Sequence, residues 1–174
     1  QAAHGRTPTG YLESIGFLKG RTLFAHGVWL TPADLTLVKR YNIGVAHCPS
    51  SNMKLASGIA PVMDMLKLGI PVGLGTDGPA GSNNDFDLLE EMDLAAKLQK
   101  VTLKDPRALA AQTAVEMATI LGAKSIGMEK EIGSLEAGKK ADLITVRLTR
   151  PNAVPIYNAY SQLVYALKAS DVAY

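Results

Sequence analysis

The sequence contains one cysteine, Cys48, among 174 residues. A single thiol cannot form an internal disulfide, so we expect a reducing compartment, the cytoplasm. Long apolar runs are also missing, because none approaches the roughly 18–20 residues that span a bilayer. Charge is nearly balanced, with 18 basic and 16 acidic side chains and a formal net charge of +2. We therefore expect no nucleic acid and no membrane among the partners.

Apolar residues are plentiful, at 47% of the sequence against 20% that are charged. This composition is typical of a folded globular protein and excludes a disordered chain. A length of 174 residues corresponds to one domain or to part of a larger one. Because the sequence begins with Gln1 and not with methionine, we expect a piece of a longer protein.

Short apolar segments alternate with amphipathic ones in the first half of the chain. They predict strands at 22–25, 43–46 and 70–74, with a helix at 59–68 between the last two. Before the second strand, the sequence at 31–34 (TPAD) has the pattern of a capping box that starts a helix. Alternating strands and helices predict an α/β fold with parallel strands joined by right-handed crossovers.

Helices dominate the following stretch. Asn84 or Asp85 is expected to cap a helix that runs to about Lys100. Asp105-Pro106 predicts another helix start, and the sequence at 113–116 (TAVE) matches a further capping box.

The pattern changes near residue 130. The sequence at 133–140 is rich in turn residues, and 141–146 predicts one more strand. We therefore expect an α/β layer over 1–130 and a separate small β element over 131–174.

Three polar residues stand at the ends of the three predicted strands: His26, His47 and Asp77. Barrel enzymes place catalytic groups at this edge, where an imidazole and a carboxylate can share a metal-bound water. Each residue also has a plainer interpretation. A strand-end histidine can be a packing residue, Asp77 can cap a turn, and the turn at Cys48-Pro49 favours a structural role for His47.

Two other motifs are rejected as chemical sites. The sequence at 73–78 matches G-x-G-x-x-G, but the carboxylate of Asp77 inside it would repel a pyrophosphate. Cys48 is not expected to be a nucleophile paired with His47, because adjacent strand residues point to opposite faces.

Trp29 and Glu90-Glu91 have two interpretations each, and His4 has one. Trp29 can flank a planar substrate or pack under its loop. Glu90-Glu91 is expected to be a solvated helix face, not a second metal site. His4 is expected to be a helix-surface residue.

Four segments resemble, in the same order, those after strands six, seven and eight of the amidohydrolase superfamily and its return into a small β-sandwich. They are AHGVWLT at 25–31, the longer loop at 45–62, GLGTDGPAGSNN at 73–84 and the return at 133–143. The loops are similar to those of the chlorohydrolase and aminohydrolase branch. Within it, the runs at 52–62 and 88–100 look most like the 5-methylthioadenosine/S-adenosylhomocysteine deaminases.

The resemblance implies a fold. Residues 1–130 would form the C-terminal part of a (β/α)8 TIM-like barrel, about strands six to eight with their helices. Residues 131–174 would form part of the β-sandwich domain and a return helix. The chain would then be a C-terminal fragment, and the resemblance leaves open a homo-oligomer of the full-length protein.

The resemblance also implies an activity for the full-length parent. This is hydrolytic deamination of an adenine nucleoside (S-adenosylhomocysteine, 5-methylthioadenosine or adenosine) with release of ammonia. One Zn²⁺ per subunit, or Fe²⁺ or Mn²⁺ in its place, would lower the pKa of a water molecule. Three alternatives stay open: a guanine deaminase, a triazine or chlorohydrolase of the same branch, and a non-enzymatic remnant module.

Residue roles follow from the same resemblance. Asp77 would be a metal ligand, a proton shuttle and a substrate contact. His26 would hold the attacking water and stabilise the charge that develops, and Trp29 and His47 are weaker candidates for substrate contact. The remaining histidine is His4, and no pair has His-x-His spacing. We therefore expect the other metal ligands upstream, and an inactive fragment.

Overall fold

The computed structural model describes residues 4–174, which contain a three-stranded parallel sheet. Its strands are β1 (Leu23–Ala25), β2 (Gly44–His47) and β3 (Val72–Leu74), in that order across the sheet. Phe24 lies opposite Val45, which lies opposite Val72. The three strands, their parallel direction and the α/β class are therefore as the sequence predicts.

Eight α-helices precede, connect and follow these strands within residues 4–174. They are α1 (Pro8–Ser14), α2 (Pro32–Arg40), α3 (Pro49–Lys54), α4 (Val62–Lys67), α5 (Leu88–Leu103), α6 (Ala111–Ala118), α7 (Ile120–Ser125) and α8 (Ala159–Tyr165). Within residues 4–174, no helix combines the length and the apolar character needed to cross a membrane.

The start of α2 confirms the predicted capping box. The Thr31 side chain accepts a hydrogen bond from the Asp34 N–H, and the Asp34 side chain accepts one from the Thr31 N–H. Leu35 and Val38 on this helix are buried. They belong to the apolar core that α2, α4 and α5 form with β2 and β3.

Two predicted helix starts are wrong. The cap of α5 is Asp87, whose Oδ1 accepts from the N–H groups of Leu89 and Glu90. Asp105 forms a turn and starts no helix, because its carboxylate accepts from the Arg107 N–H two residues on.

The capping box predicted at Thr113 is also wrong. α6 begins at Ala111 after Ala110, with no side-chain cap, so Thr113 lies inside the helix. α6 packs on α5 and on α8, and in proteins such tertiary packing contributes more to helix stability than local sequence preference does. The backbone breaks at Thr119, and α7 follows as a separate helix.

The strand predicted at 141–146 is not formed in the described chain. Only Val146 makes a β-bridge, antiparallel to Val172. A strand needs a continuous partner for its backbone groups, and this segment meets only a few residues near Tyr174. Helix α8 packs against α5 and α6.

Close packing between the sheet and α7 makes one glycine indispensable. A Cβ added at Gly44 would lie 1.9 Å from the carbonyl oxygen of Ser125, so the helix or the strand would have to move. We expect Gly44→Ala to lower the free energy of unfolding by about 3 kcal/mol, measured by chemical denaturation. Gly20→Ala is the matched control, because a Cβ there meets nothing within 4 Å. Equal stability of the two variants would contradict this packing.

Candidate active site

Two of the predicted site residues meet at one end of the sheet. His26 directly follows β1, and Asp77 lies in the loop after β3. The Nε2 atom of His26 is 3.7 Å from the Oδ2 atom of Asp77. Both side chains line a cavity of about 590 Å³. The separation is too long for a direct hydrogen bond, but a small polar group can contact both atoms.

Both residues have a backbone conformation that L-amino acids rarely adopt. The φ angle is +65° at His26 and +63° at Asp77. A non-glycine residue in this left-handed region costs on the order of 1–3 kcal/mol and persists only where its surroundings enforce it. Strain at two residues that face one cavity is typical of a functional site.

Helix α3 supplies a partner for each of them. The Ser51 hydroxyl donates to Asp77 Oδ2 at 2.7 Å, and His26 Nδ1 lies 2.9 Å from Asn52 Oδ1. Ser51 and Asn52 are each 1% exposed. Because the Asn52 oxygen only accepts, the Nδ1 atom of His26 donates in this contact, and the Nε2 atom faces Asp77.

The partner roles of Ser51 and Asn52 are additions to the sequence analysis. Both residues belong to the first turns of α3, which starts at Pro49 directly after β2. A polar pair in the first helical turn beyond a strand end is a signal that could have identified them from the sequence.

Hydrogen bonds keep the Asp77 carboxylate ionised. The Ser51 hydroxyl and the Gly78 N–H, which donates to Oδ1 at 2.7 Å, hold the pKa of Asp77 below its usual range. The group is therefore an anion throughout the neutral pH range and can accept a proton from a bound molecule.

An apolar wall forms much of the rest of the cavity. Trp29 lines it with its side chain largely uncovered, at 84% exposure. Leu55 and Val28 lie on the same wall. The cavity therefore combines two chemical groups with a surface suited to a planar or apolar ligand.

His47 lies apart from this cavity. Its side chain is fully buried, and neither ring nitrogen has a hydrogen-bond partner among the described residues. Burial, with a smaller effect of nearby His26, lowers the pKa of His47 from 6.5 to about 4. His47 is thus a neutral interior residue at pH 7.

The buried ring of His47 predicts an acid sensitivity. The unfolded chain binds a proton at His47 near pH 6.5, whereas the folded chain does so only near pH 4. Stability is therefore complete above pH 6.5 and falls by up to about 3 kcal/mol as the pH drops to 4. Thermal unfolding across this range should show a shallower acid decline for His47→Leu than for the wild type. Parallel curves would contradict the assignment.

Cys48 follows His47 and is also buried. Burial, together with the carboxylates of Asp77 and Glu91, raises the pKa of the Cys48 thiol to about 11. A thiol in this state is a poor nucleophile.

Glu91 corrects the expectation of a solvated helix face. It is 1% exposed, and burial raises the pKa of its carboxyl group above the usual value. Glu91 shares one stripe of α5 with Ala95 and Gln99, which are four and eight residues on and equally buried. Glu90, on a different face, is half-exposed.

The donor types at the cavity suit a divalent metal. Asp77 offers a carboxylate oxygen and His26 an imidazole nitrogen, both of which are zinc ligands. Over residues 4–174, the structure contains no group of three or more His, Cys, Asp or Glu side chains arranged to hold a metal. The described residues therefore fit one part of a metal site.

A protein-family comparison matches the whole chain. The model of the amidohydrolase family covers residues 1–174. The chain is 51% identical over 169 residues to a 5-methylthioadenosine/S-adenosylhomocysteine deaminase of Thermodesulfovibrio yellowstonii, covering 97% of this chain and 38% of that protein. It is 48% identical over 171 residues to a 5'-deoxyadenosine deaminase of Methanobrevibacter smithii, and the match covers 98% of this chain and 39% of that protein.

A solved structure has the same fold. The crystal structure of an adenosine deaminase from Xanthomonas campestris with bound zinc matches with a TM-score of 0.93 at 38% identity. The match covers 98% of this chain and 39% of that one. The chain therefore spans about two-fifths of the length of the relatives that it matches.

Proposed function

The chain belongs to the amidohydrolase family, and we propose that the protein containing it catalyses the hydrolytic deamination of an adenine nucleoside. The observation that carries this proposal is the pair of polar atoms, His26 Nε2 and Asp77 Oδ2, 3.7 Å apart on one cavity. The deaminase names of relatives about 50% identical to it support the choice of reaction.

Asp77 and His26 have complementary roles in this reaction. A water molecule that attacks the amine-bearing carbon of the purine gives its proton to the Asp77 carboxylate. His26 accepts a hydrogen bond from that water through Nε2 and takes its second proton, so that the protonated ring donates to the oxygen on which charge develops. His26 then returns this proton to the ring nitrogen N1 of the purine. Asp77 passes the proton to the amino nitrogen, the carbon–nitrogen bond breaks, and ammonia leaves.

Zinc is the proposed cofactor, with Asp77 as one of its ligands. When bound, it would acidify the attacking water and stabilise negative charge. A zinc site needs three or four protein ligands, and Asp77 and His26 are the two candidate donors that the described residues bring together. We therefore propose that the 174-residue chain alone is inactive.

The substrate proposal follows from the cavity walls. Trp29 and Leu55 present apolar surface on the same cavity as the polar pair. A purine ring is planar and aromatic, and the 5' thioether substituents of S-adenosylhomocysteine and 5-methylthioadenosine are apolar where they join the ribose. We propose that Trp29 contacts the substrate, and that His47, being buried, acts only through packing.

The proposal also covers the fold that surrounds the site. We propose that β1, β2 and β3 are strands six to eight of a (β/α)8 barrel, and that residues 131–174 belong to an adjoining β-sandwich domain with α8 as the return helix. We also propose a cytoplasmic location, because Cys48, the one cysteine of the sequence, is buried and free.

The test uses the protein expressed from its complete coding sequence, which we call the full-length protein. It is loaded with zinc and incubated in ¹⁸O-labelled water with S-adenosylhomocysteine, 5-methylthioadenosine, adenosine, guanine and a chlorotriazine. We expect one ammonia released and one ¹⁸O gained per adenine nucleoside consumed. Turnover of guanine or the triazine alone would select a different reaction of this family, and no turnover of any compound would reject the proposal.

A further inference from the structure

The carboxylate of Glu91 lies where the loops after β2 and β3 meet. Its Oε2 atom accepts a hydrogen bond from the Ser50 N–H at 3.2 Å. Its Oε1 atom accepts one from the Asn83 side-chain amide at 3.1 Å. Each oxygen of one buried carboxylate is therefore bound by a different segment, α3 after β2 and the loop after β3, and both segments carry site residues.

The first connection leads to the Asp77 side chain. Ser50 and Ser51 are consecutive residues in the first turn of α3. Glu91 fixes the backbone at Ser50, and the next residue, Ser51, donates its hydroxyl hydrogen to Asp77 Oδ2. The position of that hydroxyl group therefore depends on α5, the helix that carries Glu91.

The second connection leads to the Asp77 backbone. The Asn83 side-chain amide that contacts Glu91 also donates to the Thr76 carbonyl at 2.9 Å, and the Asn83 N–H donates to the Gly78 carbonyl at 3.0 Å. Thr76 and Gly78 flank Asp77, whose left-handed backbone is strained. Restraints on both sides keep the chain in that conformation.

We propose that Glu91 is a positioning residue for the reaction, one that holds the Asp77 carboxylate in place through both connections. The inference rests on the proposed function, since positioning matters only if Asp77 acts on a substrate. Glu91 does not line the cavity that contains His26 and Asp77. It therefore contacts no reacting atom. Its effect passes entirely through Ser50 and Asn83.

Glu91→Gln is the informative variant. It keeps the size of the side chain but replaces one acceptor oxygen with an NH₂ group, which would face an N–H donor of Ser50 or Asn83. Loss of the hydrogen bond to Ser50 or to Asn83 breaks one of the two connections that hold Asp77 in place. We expect kcat to fall about 10–100-fold. KM should stay within about threefold, because the apolar cavity wall is untouched.

Two variants on the same helix control for simpler explanations. Glu90→Gln removes the neighbouring, half-exposed carboxylate and should leave kcat unchanged. Gln99→Met removes a buried hydrogen bond to the Ala60 carbonyl, which involves neither Ser50 nor Asn83. It should lower the melting temperature without lowering kcat, which separates positioning from stability.

The experiment measures kcat, KM and melting temperature for the three variants of the full-length protein, and solves a crystal structure of Glu91→Gln. A lowered kcat in Glu91→Gln alone, with Asp77 displaced from Ser51, supports the proposal. Equal kcat in Glu91→Gln and Gln99→Met overturns it. If the wild type turns over no substrate, the proposed function fails, and the crystal structure still decides the inference. In that case an undisturbed Ser51–Asp77 bond overturns it.

Discussion

Asp77→Asn in the full-length protein is expected to lower kcat by at least about 10³-fold. The variant retains the shape of the side chain but cannot take a proton from the attacking water, a step that contributes about 10²–10⁴-fold by itself. It also weakens the proposed bond to zinc, because a neutral amide is a poorer ligand than a carboxylate. Steady-state ammonia release measures the effect.

The fold should survive this substitution. Asparagine tolerates the left-handed backbone, and its amide can accept from the Gly78 N–H while donating to the Ser51 hydroxyl. Asp64→Asn, on the exposed surface of α4, is the matched control and should be fully active. If Asp77→Asn kept more than about a tenth of the activity with an unchanged melting temperature, Asp77 would not be the proton acceptor.

His26→Asn is expected to separate activity from stability. Loss of the imidazole removes the group that orients the water and stabilises developing charge, so kcat should fall about 10²–10⁴-fold. The backbone at His26 has a φ of +65°, a conformation that asparagine adopts more readily than most residues. The free energy of unfolding should therefore stay level or rise.

Asn42→His is the control for His26→Asn, because it makes the opposite substitution at a residue with a similar backbone conformation. Asn42 is an exposed asparagine with a φ of +51°, remote from the cavity. Asn42→His should lower stability slightly and leave kcat unchanged. Comparable kcat losses at His26 and Asn42 would show that the backbone conformation matters and the imidazole does not, contrary to the mechanism.

Local signals in the sequence predicted much of the fold. The capping box at Thr31 needs only residues within one helical turn, so its pattern and its structure agree. The three strands are short apolar segments whose parallel direction follows from the helices between them. The meeting of His26 and Asp77 follows in turn, because parallel strands end at the same edge of the sheet.

Features that depend on distant contacts were not predicted. Glu91 is an acidic residue whose buried carboxylate accepts hydrogen bonds from the Ser50 N–H of α3 and from the Asn83 side chain in the loop after β3. Thr113 matches a capping pattern, yet α6 begins at Ala111 and packs on its neighbours, which contributes more to its stability than the local pattern does. In the segment at 141–146, β-branched composition predicted a strand, but strand formation also requires a partner along its length.

The most direct test of the account is a crystal structure of the zinc-loaded full-length protein with a purine ribonucleoside that lacks the 6-amino group. Such a compound adds water at the ring carbon and resembles the tetrahedral intermediate. We expect the added oxygen within hydrogen-bonding distance of both His26 Nε2 and the Asp77 carboxylate, with the purine beside Trp29. A ligand bound away from these two residues, or an added oxygen that contacts neither, would contradict it.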